Sequence, residues 1–245
     1  LRAGLEEHRP AILALVHAET STGARQPLEG VGELCREFDC LLLVDTVTSL
    51  GGVPFFLDRW GVDVAYSGSQ KCLSCPPGIA PLSLGPRAVD RMTRRTSPVA
   101  NWYLDLTLLG RYWGSDRTYH HTAPISMNYA LREALRIVAE EGLEERRNRH
   151  EDNANHFWEG LAGMGLECHV APEHRLTSLT TVRVPEGVDA KAVGARLLDG
   201  YDIEIAGGLG ELAGRVWRVG LMGHNSRPEN VQALLGALQE VLARH

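Results

Sequence analysis

Short apolar runs that end in polar or turn-forming residues set the strongest limit on the fold of this chain. Residues 41–44 read L-L-L-V and end at Asp45, residues 62–66 lead into S-G-S-Q-K, and residues 80–84 form a third run. Such runs are typical of strands buried on both faces of a parallel sheet. Because helical or looping segments separate them, they indicate βαβ units. The sequence therefore predicts an α/β fold with a mostly parallel sheet.

A change of pattern after Pro124 indicates a second structural unit. Residues 127–141 and the charged stretch that follows Gly142 predict two long helices. Beyond them, strand and helix patterns alternate in what we expect to be a compact α+β unit. Strands are predicted at 166–170, 179–184, 203–206 and 216–221, and helices at 190–198 and 229–243. We predict the C-terminal part of a large domain at 1–140 and a small C-terminal domain with its linking helix at 141–245.

Composition and charge argue against several classes of function. The chain has 245 residues, 44% of them hydrophobic and 23% charged, which is the balance of an ordinary globular protein. No apolar run approaches the roughly 18 to 20 residues of a membrane span. We therefore expect no membrane partner. The net charge is −6 and no basic block is present, so we expect no nucleic-acid partner either. Five cysteines without a preceding signal segment favour free thiols in a reducing compartment.

The first residues have the pattern of a domain interior. Residue 1 is leucine, residues 1–9 resemble the end of a helix, and a strand pattern follows at 11–16. We therefore expect a fragment or an incomplete gene model, with part of any active site upstream of Leu1.

Two charged residues follow neighbouring strands and are the best candidates for chemistry. Asp45 ends one apolar run, and Lys71 lies 26 residues later, just past the next run. In open parallel sheets ligands bind at the carboxyl ends of the strands, so an acid and an amine there can face one pocket. The alternative is that Asp45 caps a turn and Lys71 is solvated.

An amine and a carboxylate in this arrangement suit pyridoxal phosphate chemistry. A lysine held in a tight turn can form a Schiff base with an aldehyde and then act as a base. A carboxylate across the ring can keep a pyridine nitrogen protonated, which preserves the ring's capacity to accept electrons. The pair therefore predicts pyridoxal 5'-phosphate as the cofactor.

Five motifs follow one another along nearly the whole chain. They are H-A-E-T-S-T-G at 17–23, L-L-L-V-D-T-V-T-S-L-G-G at 41–52, Y-S-G-S-Q-K at 66–71, Y-H-H-T at 119–122 and W-R-V-G-L-M-G at 217–223. In this order and spacing they resemble the alanine:glyoxylate and serine:pyruvate aminotransferases, class V of the fold-type I pyridoxal phosphate enzymes.

The resemblance implies roles for four residues around the cofactor. Lys71 would form the internal aldimine, and Asp45 would pair with the pyridinium nitrogen. Thr20 would hydrogen-bond near the phenolic oxygen, at a position where the family often has serine, and Gln70 would contact the phosphate. The family's Gly-rich phosphate turn and ring-stacking aromatic residue would lie upstream of Thr20.

The resemblance also implies a homodimer with shared sites. Tyr119 and Thr122 would reach the phosphate of the neighbouring subunit, and Arg218 would clamp the substrate carboxylate with two parallel donors. Two alternatives remain open: Arg218 could be an exposed edge residue, and Tyr119 with the histidines after it could be core packing or a metal pair. Adjacent histidines in an extended segment point to opposite faces, so we expect no metal site.

Three further signals are interpreted as structural. Residues 208–213 match the dinucleotide pattern G-x-G-x-x-A, but a strand rather than a helix is predicted next. Cys72 and Cys75 form a single C-x-x-C pair followed by two prolines, which is not a typical zinc site. His17 is expected to be buried with its hydrogen bonds satisfied.

The resulting prediction is transamination of a small amino acid, alanine or serine, with glyoxylate or pyruvate as the acceptor, in a ping-pong cycle through Lys71. Two alternatives stay open: an inactive truncated fragment, and a lyase such as a cysteine desulfurase, for which Cys168 would have to be the nucleophile. The C-terminal tripeptide differs from the peroxisomal S-K-L signal, so the cytoplasm is the expected location.

Overall fold

The computed structural model describes residues 1–243, so the C-terminal tripeptide that bears on location lies partly outside the described residues. In chain order the elements are α1 (Arg2–His8), β1 (Ile12–Val16), β2 (Ala18–Glu19), β3 (Ala24–Arg25), α2 (Val31–Glu37), β4 (Leu41–Asp45), β5 (Val64–Tyr66), β6 (Leu82–Leu84), α3 (Pro86–Thr93), α4 (Leu106–Trp113), α5 (Ile125–Glu141), α6 (Leu143–Gly163), β7 (Leu179–Arg183), α7 (Ala190–Tyr201), β8 (Ala206–Gly207), β9 (Val216–Gly220) and α8 (Pro228–Leu242).

The first unit is built on a four-stranded sheet of order β1-β4-β5-β6. The first three strands run parallel, and β6 is antiparallel to β5. The α/β fold with a mostly parallel sheet is thereby confirmed. The register places Val16, Asp45 and Tyr66 side by side at one end of their strands. This carboxyl edge is where the candidate site begins.

Close packing of α2 against the sheet fixes this edge. Leu42 and Val44 of β4 are fully buried and share a core with Cys35 of α2. A Cβ on Gly32 would lie only 2.1 Å from the carbonyl oxygen of Trp60. A side chain at that position would therefore separate the helix from the chain that leads into β5.

The C-terminal unit is an antiparallel sheet of order β7-β9-β8 packed against helices. Its core includes Phe157, Leu197, Trp217 and Leu238 and is separate from the core around β4. The predicted boundary near residue 140 falls where α5 ends and α6 begins. Its exact position stays a prediction.

The structure differs from the sequence prediction in four segments. Residues 166–170 form no strand and pair with β7 through one bridge, Cys168 with Val182. A strand was predicted at 203–206, whereas the structure has the two-residue strand β8 at Ala206–Gly207. The helices α3 and α4 were not predicted.

No helix within residues 1–243 has the length and apolar character required to cross a membrane.

Candidate active site

The Asp45 carboxylate lies at the carboxyl end of β4 and is held by two donors. The backbone N–H of Val47 donates to Oδ1 at 2.8 Å, and the Tyr66 hydroxyl donates to Oδ2 at 2.6 Å. The first bond is the short turn that aspartate commonly makes with the residue two positions on. The predicted turn-capping interaction therefore exists, and it leaves the carboxylate half-buried at the sheet edge.

Lys71 lies in a loop whose backbone is tied down on both sides. Ser67 N–H donates to Pro81 O at 2.8 Å and Ser69 N–H to Ile79 O at 3.1 Å. The Ser69 hydroxyl donates to Pro76 O at 2.7 Å. Since the loop is crosslinked to itself, the Lys71 backbone has a fixed position five residues past β5.

Neither Lys71 nor Asp45 has a countercharge in the described part of the chain. Within residues 1–243, no ion pair involves the Lys71 ammonium or the Asp45 carboxylate. Both side chains are half-buried. An amine and a carboxylate are therefore available to a ligand at this edge of the sheet.

Gln70 lies beside the turn that follows Asp45. A Cβ on Gly68 would be 2.8 Å from the Gln70 Oε1 and 3.3 Å from a Val47 methyl group. The absence of a side chain at Gly68 thus lets the Gln70 amide fold back toward the Asp45 turn. The amide is exposed and can donate to a ligand.

Arg218 joins the two units at Thr20. Its Nε donates to Gly207 O at 2.8 Å, and its Nη1 donates to Thr20 O at 3.1 Å. Arg218 lies on β9, the middle strand of its sheet, opposite Thr181 and Ala206. The alternative that it is an edge residue is therefore wrong, and its guanidinium retains further donors.

Tyr119 and Thr122 lie in a separate, exposed segment. Their hydroxyl oxygens are 2.8 Å apart, and Tyr119 is 69% exposed. No hydrogen bond within residues 1–243 connects either side chain to Asp45, Lys71 or Arg218.

The two histidines between them do not behave as we expected. The Nδ1 atoms of His120 and His121 are 2.9 Å apart, and His120 stacks on Trp102 with ring centroids 3.9 Å apart. The argument that adjacent histidines point to opposite faces is wrong here, because the chain bends at His121 and is not extended. No group of three or more metal-binding side chains occurs within residues 1–243.

His17 is buried as expected, but it is not satisfied. It packs against Phe55 and Trp60, and its Nδ1 has no hydrogen-bond partner. Burial lowers the pKa of His17 to about 4. A neutral imidazole in this apolar setting serves the packing of the core.

The remaining weak signals have structural explanations. Both Cys72 and Cys75 are buried, and the Cys72 thiol donates to Thr48 O at 3.2 Å. The glycine pattern at 208–213 leads through a single turn into β9 and not into a helix, as predicted.

Sequence reasoning missed a buried cluster of charged side chains that binds the backbone of the loops around the site. Arg146 donates to Gly51 O at 2.9 Å and to Cys72 O at 2.6 Å, and it pairs with Glu141. Arg149 pairs with the same carboxylate and donates to Gly223 O at 3.0 Å. The cluster thus links the loops that follow Asp45, Lys71 and Arg218. The only sequence signal was an unusual density of arginines at the start of α6.

Tyr66 is a further residue whose role sequence reasoning missed. Its hydrogen bond to Asp45, with burial as a smaller cause, raises the pKa of the Tyr66 hydroxyl to about 12. The available signal was the register, because Asp45 and Tyr66 each end one of two neighbouring parallel strands.

These groups fit pyridoxal phosphate. The Lys71 amine suits an aldehyde, and the Asp45 carboxylate has lone pairs left for a ring N–H. The donor set at Arg218 suits a substrate carboxylate.

The family model for class V aminotransferases matches residues 1–234. Among curated proteins, the alanine–glyoxylate aminotransferase of Mus musculus is 47% identical over 244 residues, covering 98% of this chain and 59% of the relative. The (S)-ureidoglycine–glyoxylate transaminase of Bacillus subtilis is 39% identical, covering 98% of this chain and 62% of the relative. The chain therefore spans about three fifths of the length of these relatives.

Solved structures agree with these matches. An alanine–glyoxylate aminotransferase from Nostoc sp. is 66% identical with a TM-score of 0.96, covering 98% of this chain and 64% of that one. A cysteine desulfurase from Thermococcus onnurineus shares the fold, with a TM-score of 0.76 at 16% identity. The chain belongs to the class V aminotransferase family, whose cofactor is pyridoxal phosphate.

Proposed function

We propose that the protein transfers an amino group from a small amino acid, alanine or serine, to glyoxylate or pyruvate. One observation carries the proposal: Asp45 ends β4 and Lys71 follows the neighbouring strand β5, and neither charge is paired within residues 1–243. Arg218 is tied to the loop after β2 by its hydrogen bond to Thr20 O. Relatives named for glyoxylate transamination support this acceptor.

Each residue has a distinct role in this reaction. Pyridoxal phosphate, when bound, supplies an electron sink for the charge left on the substrate Cα. Lys71 would hold the cofactor through its aldehyde group, and as a free amine it would serve as the base that takes up the proton from the substrate Cα and gives it back. A positioned base of this kind contributes roughly 10² to 10⁴ in rate. Asp45 holds the ring N–H, and Arg218 binds the substrate carboxylate.

The remaining contacts serve to orient the cofactor. The Thr20 hydroxyl donates near the phenolic oxygen, and the Gln70 amide donates to the phosphate. In the proposed homodimer, Tyr119 and Thr122 extend to the phosphate bound by the other subunit.

Exposed aromatic side chains support the homodimer. Trp102, Tyr103 and Tyr119 are each more than half exposed and are joined by ring contacts through Tyr112 and the two histidines. Clustered apolar surface of this kind marks interaction sites. We expect a dimer in sedimentation analysis, whereas a concentration-independent monomer would contradict shared sites. We also propose a cytoplasmic location, which cell fractionation tests.

A desulfurase is disfavoured by the state of its candidate nucleophile. Cys168 is half-buried, and burial raises the pKa of its thiol. Because the thiolate is the reactive form, this cysteine is a poor nucleophile at neutral pH.

The chain offers a matched control for the function test, since its two lysines are Lys71 and Lys191. With alanine and glyoxylate, we expect pyruvate formation by the wild type and by Lys191→Ala, and a loss of at least about 10²-fold in Lys71→Ala. Sulfide release from cysteine without pyruvate formation from alanine would identify a lyase. Failure of the wild type to develop a visible cofactor band would identify an inert fragment.

A further inference from the structure

The Asp45 carboxylate is fixed by a neighbour on the next strand. Asp45 and Tyr66 are Cα partners in the parallel register of β4 and β5, so their side chains leave the same face of the sheet. The Tyr66 hydroxyl lies 2.6 Å from Oδ2, within the range of charge-assisted O–H to carboxylate bonds. The Tyr66 ring is 36% exposed and lies at the open edge.

Two donors on two oxygens determine the plane of the carboxylate. Val47 N–H holds Oδ1 at 2.8 Å while Tyr66 holds Oδ2. With either donor alone, the group could rotate about its Cβ–Cγ bond. Each carboxylate oxygen keeps a further lone pair, so a third donor can bind without displacing the first two.

Tyr66 also keeps its proton under working conditions. The hydrogen bond to Asp45 raises the pKa of the hydroxyl to about 12. Tyr66 therefore remains a donor near neutral pH and does not compete as a base for a proton on a bound ring.

We propose that Tyr66 is a positioning residue for the cofactor, acting through Asp45: its hydroxyl aims the carboxylate so that a lone pair meets the ring N–H. The inference rests on the proposed function and adds a residue to it. It requires no contact between Tyr66 and the substrate.

The test compares Tyr66→Phe with Tyr201→Phe, which removes a hydroxyl that donates to Glu240 at 2.8 Å in the C-terminal unit. In Tyr66→Phe we expect the dissociation constant for pyridoxal phosphate to rise about tenfold, as for loss of a hydrogen bond to a charged group. We expect kcat to fall with little change in KM for alanine. Tyr201→Phe should match the wild type.

A spectroscopic readout separates positioning from a merely structural role. If Asp45 is aimed less well in Tyr66→Phe, the ring nitrogen keeps its proton less firmly. The nitrogen that joins Lys71 to the cofactor then becomes more basic. The pH midpoint at which the visible absorption band changes should therefore be higher in Tyr66→Phe than in the wild type. Thermal unfolding without cofactor checks that the variant folds.

A double-mutant cycle tests whether Tyr66 acts through Asp45. Adding Tyr66→Phe to Asp45→Asn should cause no further loss of cofactor affinity. An additive loss would overturn the inference, as would a Tyr66→Phe variant with wild-type affinity and pH midpoint or with tighter binding. If the wild type binds no pyridoxal phosphate, the proposed function fails instead.

Discussion

At the scale of single residues, Gly223 shows how closely the C-terminal unit approaches the Lys71 loop. Its φ is +58°, and a Cβ there would lie 2.7 Å from Cys72 O, directly after Lys71 in sequence. Backbone atoms of a crosslinked loop cannot move aside easily. The side chain missing at Gly223 therefore permits the contact between the two units.

We expect Gly223→Ala to destabilise the fold by about 1 to 3 kcal/mol, because the alanine combines a left-handed conformation with a clash. Gly194→Ala is the matched control. Gly194 lies inside α7, and a Cβ added there would meet no atom within 4 Å, so alanine at this position should stabilise by up to about 1 kcal/mol. Urea unfolding measures the change in the free energy of unfolding for both variants. Equal changes in the two variants would contradict the account.

At the scale of elements, charged side chains at the junction of α5 and α6 hold the loops that follow Asp45 and Lys71. Arg146 is 3% exposed in its side chain, and its compensating carboxylate is Glu141. Burial raises the pKa of Glu141, but hydrogen bonds from Arg149 and Arg146 outweigh it and the pKa lies below its ordinary value. The carboxylate is thus ionised at neutral pH.

Glu141→Gln should destabilise the protein by about 3 kcal/mol or more, since it leaves a buried guanidinium without its countercharge. The control is Glu140→Gln, which breaks an exposed pair with Arg136 and should cost at most about 1 kcal/mol. Thermal or urea unfolding checks the difference. Similar losses in both variants would show that the buried cluster is not the stabilising feature.

The elements also show what sequence reasoning could and could not find. β4 and β5 were predictable because apolar runs mark buried strands, and these runs placed Asp45 at a strand end. Residues 166–170 form one bridge to β7 and not a regular strand. Glu167 and His169 do bond to the β7 backbone, but the Leu166 N–H donates back to Leu161 O at the end of α6. The helix α3 does carry a sequence signal, since a proline occupies its first position.

The site was less predictable than the fold. Arg218 was identified by its motif, but its bonds to Thr20 O and Gly207 O depend on how two units pack. Tyr66 and Arg146 interact with residues distant in sequence, 21 positions away for Asp45 and 74 for Cys72. Such contacts arise from strand register and helix placement, which local patterns do not encode.

At the scale of the whole molecule, two buried histidines couple stability to pH. Burial lowers the pKa of both His17 and His150 to about 4. His150 links α6 to the loop after β9 within the C-terminal unit, because its Nδ1 donates to Arg146 O and its Nε2 accepts from Gly223 N–H. Both rings are therefore neutral in the folded protein near pH 7.

The free energy of unfolding should fall as the pH drops from about 6.5 toward 4. In this window the unfolded chain binds protons at these histidines and the folded protein does not, which costs on the order of 2 to 3 kcal/mol for each residue. Urea unfolding of the wild type, of His17→Gln and of the surface variant His174→Gln measures the effect. His17→Gln should show a shallower pH dependence than the other two, and an unchanged steepness would contradict the assignment.

The central claim is that Lys71 and Asp45 hold opposite ends of one cofactor ring, and covalent trapping tests it most directly. The purified protein is incubated with pyridoxal phosphate, reduced with borohydride, digested and mapped by mass spectrometry, with Asp45→Asn in parallel. We predict an adduct on Lys71 and not on Lys191, formed at lower cofactor concentration in the wild type than in Asp45→Asn. Equal labelling of both lysines, or the same concentration dependence in both proteins, would contradict the account.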